Sequence, residues 1–311
     1  MKKLITIIKQ LLAIKKYASF ALIVLVCASC SSVGKDPQNE PSKEDYTIDF
    51  QLEEGRIVLH AKVNDMDSLR FMLDNGSSAT IFDSTFWLSL EKQNAPHFIQ
   101  NIGNFDEYYC PTNISLSDYT YSIDTLYVAS EKYSQNAFSA LSLNGIIGVE
   151  LFYKNIVDID FEDQKIHISN QLPENIQDYQ KYDMVSLHKQ GDPYYHKKRF
   201  LTVDGLYDKK GEPVSSHFLI DLGSITNNLD YPFCDNIDIE KSKSMASDTT
   251  SMIHMLLNKY PMIETVYMDT FADTAHVDNF KNGVIGIAFL KHFNVIFDYP
   301  HDKLYLKPIK Q

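Results

Sequence analysis

The feature that most constrains the fold of this 311-residue chain is an internal repeat. Two segments of 25 residues, 144–168 and 282–306, align without a gap as NGIIGVELFYKNIVDIDFEDQKIHI and NGVIGIAFLKHFNVIFDYPHDKLYL. Upstream, residues 71–77 (FMLDNGS) match residues 218–224 (FLIDLGS). Because two blocks recur in the same order at similar spacing, the sequence predicts two copies of one domain.

Each copy is predicted to be mostly β, since short alternating runs of apolar and polar residues are bounded by turn residues. Residues 81–90 fit either a short helix or a strand. The other predicted elements are a hairpin at 56–73, a strand at 121–128, a short helix at 150–154, and closing hairpins at 156–168 and 294–307. The 44% hydrophobic content, with only 12 glycines and 11 prolines, excludes a disordered or collagen-like chain.

The first 29 residues are predicted to be a secretory signal. Five lysines precede an apolar run, 18–28, that is shorter than the roughly 20 residues needed to span a bilayer. The run ends in Cys-Ala-Ser-Cys, and small residues before a cysteine resemble the lipobox of bacterial lipoproteins, which implies cleavage before Cys30 and lipid attachment to it. An ordinary cleaved signal is the alternative.

Residues 30–45 are polar and predict a flexible tether between the lipid and the folded domain. With lipid on Cys30, we expect a lipid-anchored protein of the cell envelope, on the outer membrane or the periplasmic face.

The charge pattern disfavours nucleic acid as a partner, because the formal net charge is −12. The one basic cluster, 197–199, is interpreted as a solvated turn. No histidine spacing typical of a metal site occurs, and neither a metal nor a cofactor is predicted. Cys110 and Cys234 could pair in an oxidising compartment or remain as two buried thiols.

The repeated Asp-x-Gly-Ser blocks carry the candidate chemistry. Asp74 and Asp221 each follow three apolar residues, so each is predicted to lie where a buried strand turns sharply. The adjacent glycines let the backbone approach a carboxylate, and the adjacent serine hydroxyls can add a hydrogen bond. These supporting residues are Gly76, Ser77, Gly223 and Ser224. Two such turns brought together would share one proton, so that one carboxylate activates a water while the other donates to a carbonyl oxygen.

At these residues the chain resembles the retropepsin and pepsin clan of aspartic peptidases, and in particular bacterial proteins with two fused retropepsin-like copies. The resemblance covers residues 46–310 and includes the later hydrophobic-hydrophobic-Gly elements at 146–148 and 284–286. It implies a bilobed acid-protease fold of two β-barrel lobes related by pseudo-two-fold symmetry, with the later element crossing behind each Asp turn. It also implies a catalytic dyad of Asp74 and Asp221, an extended peptide substrate, a monomer, and a flap near residues 99–109.

The predicted organisation divides the chain into five parts. They are a signal peptide at 1–29, a tether at 30–45, a first lobe at 46–170, a linker at 171–183, and a second lobe at 184–311.

The chain departs from the family directly after each aspartate. The family usually has threonines there, which hydrogen-bond across the lobe interface, whereas this chain has Asn75 and Leu222. Leu222 cannot make that bond, so a slow enzyme is expected. The leading interpretation is therefore a lipid-anchored aspartic endopeptidase. The alternative is a weakly active or inactive lipoprotein that binds peptide or another envelope component in the cleft.

Overall fold

The computed structural model describes residues 45–94, 96–188, 195–230, 233–260, 263–266 and 282–310. The predicted signal peptide, Cys30 and residues 31–44 of the tether lie outside the described residues.

Strands are the main element of the first half of the described chain, as expected from its alternating pattern. Its strands are β1 (Asp45–Asp49), β2 (Gln51–Glu53), β3 (Arg56–Val63), β4 (Met66–Leu73), β5 (Ile81–Phe82), β6 (His97–Ile102), β7 (Phe105–Leu116), β8 (Tyr119–Ala129), β9 (Gly145–Ile147), β10 (Ile156–Asp160) and β11 (Lys165–Ser169). Eight of them form a sheet in the order β2-β3-β4-β9-β5-β8-β7-β6. Because β3 also pairs with β7, through Val63 and Ile114, the sheet closes into a barrel.

The second half contributes most of an 11-stranded sheet. Its strands are β12 (Gln180–Val185), β13 (Phe200–Tyr207), β14 (Pro213–Ile220), β15 (Asn227–Asp230), β16 (Ile263–Val266), β17 (Gly283–Ile285), β18 (Phe293–Asp298) and β19 (Lys303–Pro308). The strand order is β1-β11-β10-β18-β19-β12-β13-β14-β17-β15-β16. The central pair β10–β18 joins the two halves, with Val157 opposite Phe297. This pairing turns the two closing hairpins of the repeat into one continuous interlobe sheet.

Helices in the described chain are short and lie in the connections. They are α1 (Ser84–Asn94), α2 (Glu131–Ala137), α3 (Phe233–Asn236), α4 (Ile239–Met245), α5 (Met252–His254) and α6 (Ile287–Leu290), with a π-helical segment at Met255–Lys259. Polar N-caps begin several of them, for example Ser130, whose hydroxyl accepts from the Tyr133 N–H, and Asp238, whose carboxylate accepts from the Lys241 N–H. Among the described residues, no helix is both long and apolar enough to cross a membrane.

The predicted fold class, mostly β with two lobes, is confirmed. Within each lobe the strand before the Asp turn pairs in parallel with the strand of the later Gly element, as β4 with β9 and β14 with β17. The ambiguous segment 81–90 contains both structures, because β5 is followed at Ser84 by α1. The predicted linker ends earlier than expected, since residues from Gln180 onward form β12 against β19.

The largest hydrophobic cluster runs through both lobes. At its centre the ring of Phe152, from the first lobe, lies 5.5 Å from that of Phe297 and 5.3 Å from that of Tyr299, from the second. All three side chains are buried. Burial of each such ring contributes about 1.5–3 kcal/mol, so the lobes share part of one core and hold the cleft between them in a fixed geometry.

Candidate active site

Both Asp turns are held from behind by the later element of the same lobe. The Asp74 N–H donates to the Ile147 carbonyl at 3.0 Å, and the Asp221 N–H donates to the Ile285 carbonyl at 3.0 Å. The following glycines allow this crossing, because a Cβ at Gly148 would collide with the backbone of Ala79. The later element therefore crosses behind each turn, as the resemblance implies.

The two turns bring Asp74 and Asp221 together. A Cβ at Gly76 would collide with the carboxyl group of Asp221, and a Cβ at Gly223 would collide with that of Asp74. Asp221 is near enough to Asp74 to raise the pKa of the Asp74 carboxyl. Each glycine thus makes room for the aspartate of the opposite lobe, a reciprocal arrangement that the sequence did not predict.

The serines support the turns through their backbone. The Ser77 N–H donates to Asp74 Oδ1 at 2.9 Å, and the Ser224 N–H donates to Asp221 Oδ1 at 3.2 Å. Their hydroxyls point elsewhere, from Ser77 to the Ala79 carbonyl at 2.7 Å and from Ser224 to the Thr226 carbonyl at 2.9 Å. The tight turn brings each serine hydroxyl to the carbonyl two residues ahead, and the hydrogen bond between them stabilises the loop.

Burial and mutual repulsion set the protonation of the pair. Burial raises the pKa of the Asp74 carboxyl well above its ordinary value, and the charge and hydrogen bond of Asp221 raise it further. The Ser77 N–H and the ammonium of Lys198 act in the opposite direction on this pKa. Since ionising two adjacent, half-buried carboxylates is costly, such a pair holds one proton over an intermediate pH range. It can then offer one acid and one base.

Asn75 bridges the two lobes beneath the pair. Its Nδ2 donates to the Ile220 carbonyl at 3.1 Å and to the Tyr299 hydroxyl at 2.9 Å. Its Oδ1 accepts from the Leu222 N–H at 2.7 Å. Asn75 is fully buried, and the side chain of Leu222 packs into the main hydrophobic cluster. One amide side chain therefore holds the backbone on both sides of Asp221, while Leu222 contributes apolar packing.

Two residues of this network were not predicted from the sequence. The Arg199 guanidinium carbon lies 5.0 Å from the centre of the Tyr299 ring, whose hydroxyl accepts from Asn75. Burial raises the pKa of Tyr299, so its hydroxyl stays protonated. The repeat could have pointed to Tyr299, because the two copies differ at this aligned position. The first copy has Phe161 there, so the hydroxyl is present in the second copy alone. Arg199 belongs to the cluster 197–199, which is therefore not simply a solvated turn.

A cleft of about 450 Å³ lies above the pair. The hairpin formed by β6 and β7 reaches it, and its turn contains Gly103 in the left-handed region with φ of 63°. Ile102 and Phe105, on either side of this turn, line the cleft, and the Phe105 ring lies 4.8 Å from that of Tyr133. The full set of described lining residues is Asp74, Gly76, Ser77, Ser78, Ala79, Ile81, Ile102, Phe105, Tyr127, Tyr133, Ile146, Lys198, Leu219 and Asp221. The hairpin therefore lies where a flap was expected.

Other candidate groups do not join the site. Cys110 on β7 is buried, Cys234 in α3 is half-buried, and both are free thiols. Within the described ranges, no cluster of three or more His, Cys, Asp or Glu side chains is arranged to hold a metal ion.

Comparisons with known proteins find similarity among solved structures. No protein-family model matches the chain, and no curated protein matches it. Among solved structures, the chain is similar to the crystal structure of an aspartic proteinase from Irpex lacteus, with a TM-score of 0.48 and 11% sequence identity. The match covers 86% of this chain and 98% of that chain. The strand pairing and loop geometry of this chain itself define its fold.

Proposed function

We propose that this protein is an aspartic endopeptidase that hydrolyses peptide bonds in the cleft between its lobes. One observation carries the proposal, namely the close approach of the carboxyl groups of Asp74 and Asp221, which both line the cleft. A pair that holds one proton supplies both groups that amide hydrolysis needs, a base for water and an acid for the carbonyl oxygen.

The proposed reaction needs only a water molecule and the two carboxyl groups. The ionised carboxylate takes a proton from water, and the water oxygen attacks the carbonyl carbon of the peptide. The protonated carboxyl gives its proton to the carbonyl oxygen, which yields a tetrahedral diol. Its collapse re-forms the carbonyl, breaks the C–N bond and transfers a proton to the departing amine. Atoms and charges balance, and the pair returns to its singly protonated state.

The test is cleavage of an unfolded protein across a pH series. Wild type is expected to give a bell-shaped rate profile that reports the two macroscopic pKa values of the pair. Asp74→Asn and Asp221→Asn should each lower the rate to background while circular dichroism shows an intact fold. Asp204→Asn, at an exposed position on β13, is the matched control and should retain the wild-type rate. Cleavage that survives both active-site substitutions would contradict the proposal.

The alternative, a lipoprotein that binds peptide without cleaving it, is favoured by Leu222, whose side chain cannot form the family's interlobe hydrogen bond. It predicts that wild type and Asp221→Asn bind extended peptides equally well and that neither cleaves them. Quantitative binding alongside the rate measurement separates the two functions.

We further propose that Cys30 carries the lipid and that the protein acts at the surface of an envelope membrane. The support is the sequence pattern before Cys30. Mass spectrometry of the membrane-extracted protein should find a lipid-modified cysteine at its N-terminus. Cys30→Ser should release the chain into the soluble fraction, and retention of this variant in membranes would contradict the proposal.

A further inference from the structure

A third carboxylate of the first lobe holds the loop that follows Asp74. Glu150 lies directly after the later Gly element, and its Oε1 accepts from the Thr80 N–H at 2.9 Å. Its Oε2 accepts from the Thr80 hydroxyl at 3.2 Å. Thr80 is fully buried and directly precedes β5. One side chain therefore binds both hydrogen-bond donors of a buried residue at the end of the Asp74 loop.

The remaining polar groups of Thr80 are also held. Its Oγ1 accepts from the Gly148 N–H at 3.3 Å. Its carbonyl accepts from the N–H of Tyr127, on β8, at 3.1 Å. Since Glu150 takes the two donors, the position of Thr80 is fixed on every side by hydrogen bonds.

The element that contains Glu150 also holds the start of the same loop. Val149, the residue before Glu150, donates its N–H to the Ser77 carbonyl at 3.1 Å. The Ser77 N–H in turn donates to Asp74 Oδ1 at 2.9 Å. The later element therefore holds the loop near Asp74 through its backbone and holds the far end of the loop through the Glu150 carboxylate.

The held loop forms part of the cleft wall. Ala79 and Ile81, on either side of Thr80, line the cleft, as do Asp74 and Ser77. A displacement of Thr80 would therefore move both the wall and the turn that carries a reacting carboxyl group. Small misplacements of this kind can cost about 100-fold in rate.

The second copy shows that the crossing itself does not need this carboxylate. The residue aligned with Glu150 is Ala288, and the residue aligned with Thr80 is Asn227. The Asn227 Oδ1 accepts from the Gly286 N–H at 2.9 Å, so the equivalent crossing forms without an acid. Burial raises the pKa of the Glu150 carboxyl, which shows that its ionised form is costly in this place. The first lobe thus retains a costly group that the shared fold does not require.

We propose that Glu150 is a positioning residue that, through Thr80, fixes the Asp74 loop and the adjoining cleft wall for peptide hydrolysis. The inference rests on the proposed peptidase function and adds a residue outside the aspartate pair to it. Glu150 contacts neither the peptide nor the reacting water and acts only through the loop.

The first test is the kinetics of Glu150→Ala and Glu150→Gln, measured well below the unfolding temperature of each variant. Glu150→Ala should lower kcat about tenfold and raise KM about threefold. Glu150→Gln should lose less than about threefold in kcat, because its amide oxygen can still accept from the Thr80 N–H. Glu162→Ala, which removes an exposed acid of the same lobe, is the control and should keep the wild-type values. Wild-type kcat and KM in folded Glu150→Ala, or equal losses in the two variants, would overturn the inference.

The second test is whether Glu150 acts through Thr80. Thr80→Val removes the hydroxyl that donates to Glu150, so its effect on kcat should be smaller in the Glu150→Ala background than in wild type. If Glu150→Ala does not fold, Glu150→Gln replaces it in the same cycle. Effects that multiply as independent losses would overturn the inference.

Measurements without turnover separate this inference from the peptidase proposal. Hydrogen exchange of residues 77–82, followed by mass spectrometry, reports the loop, and fluorescence anisotropy with Asp221→Asn as the parent reports peptide affinity. If wild type cleaves nothing, but added Glu150→Ala speeds the exchange and weakens peptide binding, the peptidase proposal fails and the positioning role stands. Faster exchange with unchanged affinity and unchanged kcat would make Glu150 merely structural, and absence of any cleavage or binding in wild type would make both proposals wrong.

Discussion

The ionisation of Asp74 makes function and stability oppose each other at one residue. Its pKa is raised in the folded protein, first by burial and then by Asp221. At pH values between the pKa of an unfolded aspartate, about 4, and the raised pKa of Asp74 in the folded protein, the folded state binds more protons than the unfolded state. The free energy of unfolding contributed by Asp74 therefore falls as the pH rises through that window.

We predict that Asp74→Asn stabilises the protein at neutral pH, because the amide removes the cost of a buried charge. The gain should be at least about 1 kcal/mol at pH 7 and should shrink toward zero below about pH 4. Urea unfolding of wild type and variant at a series of pH values measures it. Asp204→Asn is the control for a change of one exposed charge. A variant less stable than wild type at pH 7 would contradict the assigned protonation.

The side chain of Asn75 holds the loop that carries Asp221. It holds the carbonyl of Ile220 and the N–H of Leu222, which flank Asp221, and it reaches the Tyr299 hydroxyl. In the aspartic peptidases that the sequence resembles, two threonines share this contact. In this chain Asn75, a residue of the first lobe, makes the interlobe contact. The slow turnover expected from the sequence stays a prediction.

We predict that Asn75→Leu costs about 2–4 kcal/mol of stability, since it leaves buried backbone groups beside Asp221 without their partner. Asn75→Thr should cost less, because a hydroxyl can serve the Leu222 N–H and the Ile220 carbonyl although it is too short to reach Tyr299. Chemical unfolding gives both values. Equal losses in the two variants would show that the backbone contacts contribute little to the stability of the loop.

The β6–β7 hairpin is the element that covers the cleft, and its two faces are different. Phe105 lines the cleft and packs on Tyr133, whereas Phe98 is half-exposed on the same hairpin. We predict that Phe105→Ala weakens peptide binding about tenfold and that Phe98→Ala leaves it unchanged. The reason is that Phe105 lines the cleft and can supply apolar area to a bound peptide, whereas Phe98 does not line it. Binding measured with Asp221→Asn as the parent tests this, and equal effects of both substitutions would contradict a covering role for the hairpin.

At the scale of the whole molecule, pairing of β10 with β18 ties the lobes into one sheet. Each lobe supplies one aspartate, so a single chain completes the site. We predict that a soluble form, residues 42–311, is a monomer that unfolds in one cooperative transition, because the lobes share both a sheet and a core. Sedimentation and calorimetry test this. An obligate dimer with the two Asp motifs in separate clefts, or two separate unfolding transitions, would contradict it.

The sequence alone was sufficient for the features that depend on local pattern and on repetition. The alternating strands, the hairpin at 56–73 and the two Asp turns follow from backbone preferences that a few neighbouring residues decide. The crossing of the later Gly elements behind those turns was expected only from the resemblance to aspartic peptidases. Residues 81–90 were ambiguous, because a short apolar run fits a strand and a buried helix equally well, and contacts with the rest of the lobe decide between them.

Only the tertiary structure decided what lies across the lobe interface. The reciprocal contacts of Gly76 and Gly223 and the clamp formed by Asn75 join residues more than 100 positions apart. A charged turn such as 197–199 has the same local sequence whether it faces solvent or a cleft. Its position depends on how the strand that follows it, β13, pairs with β14.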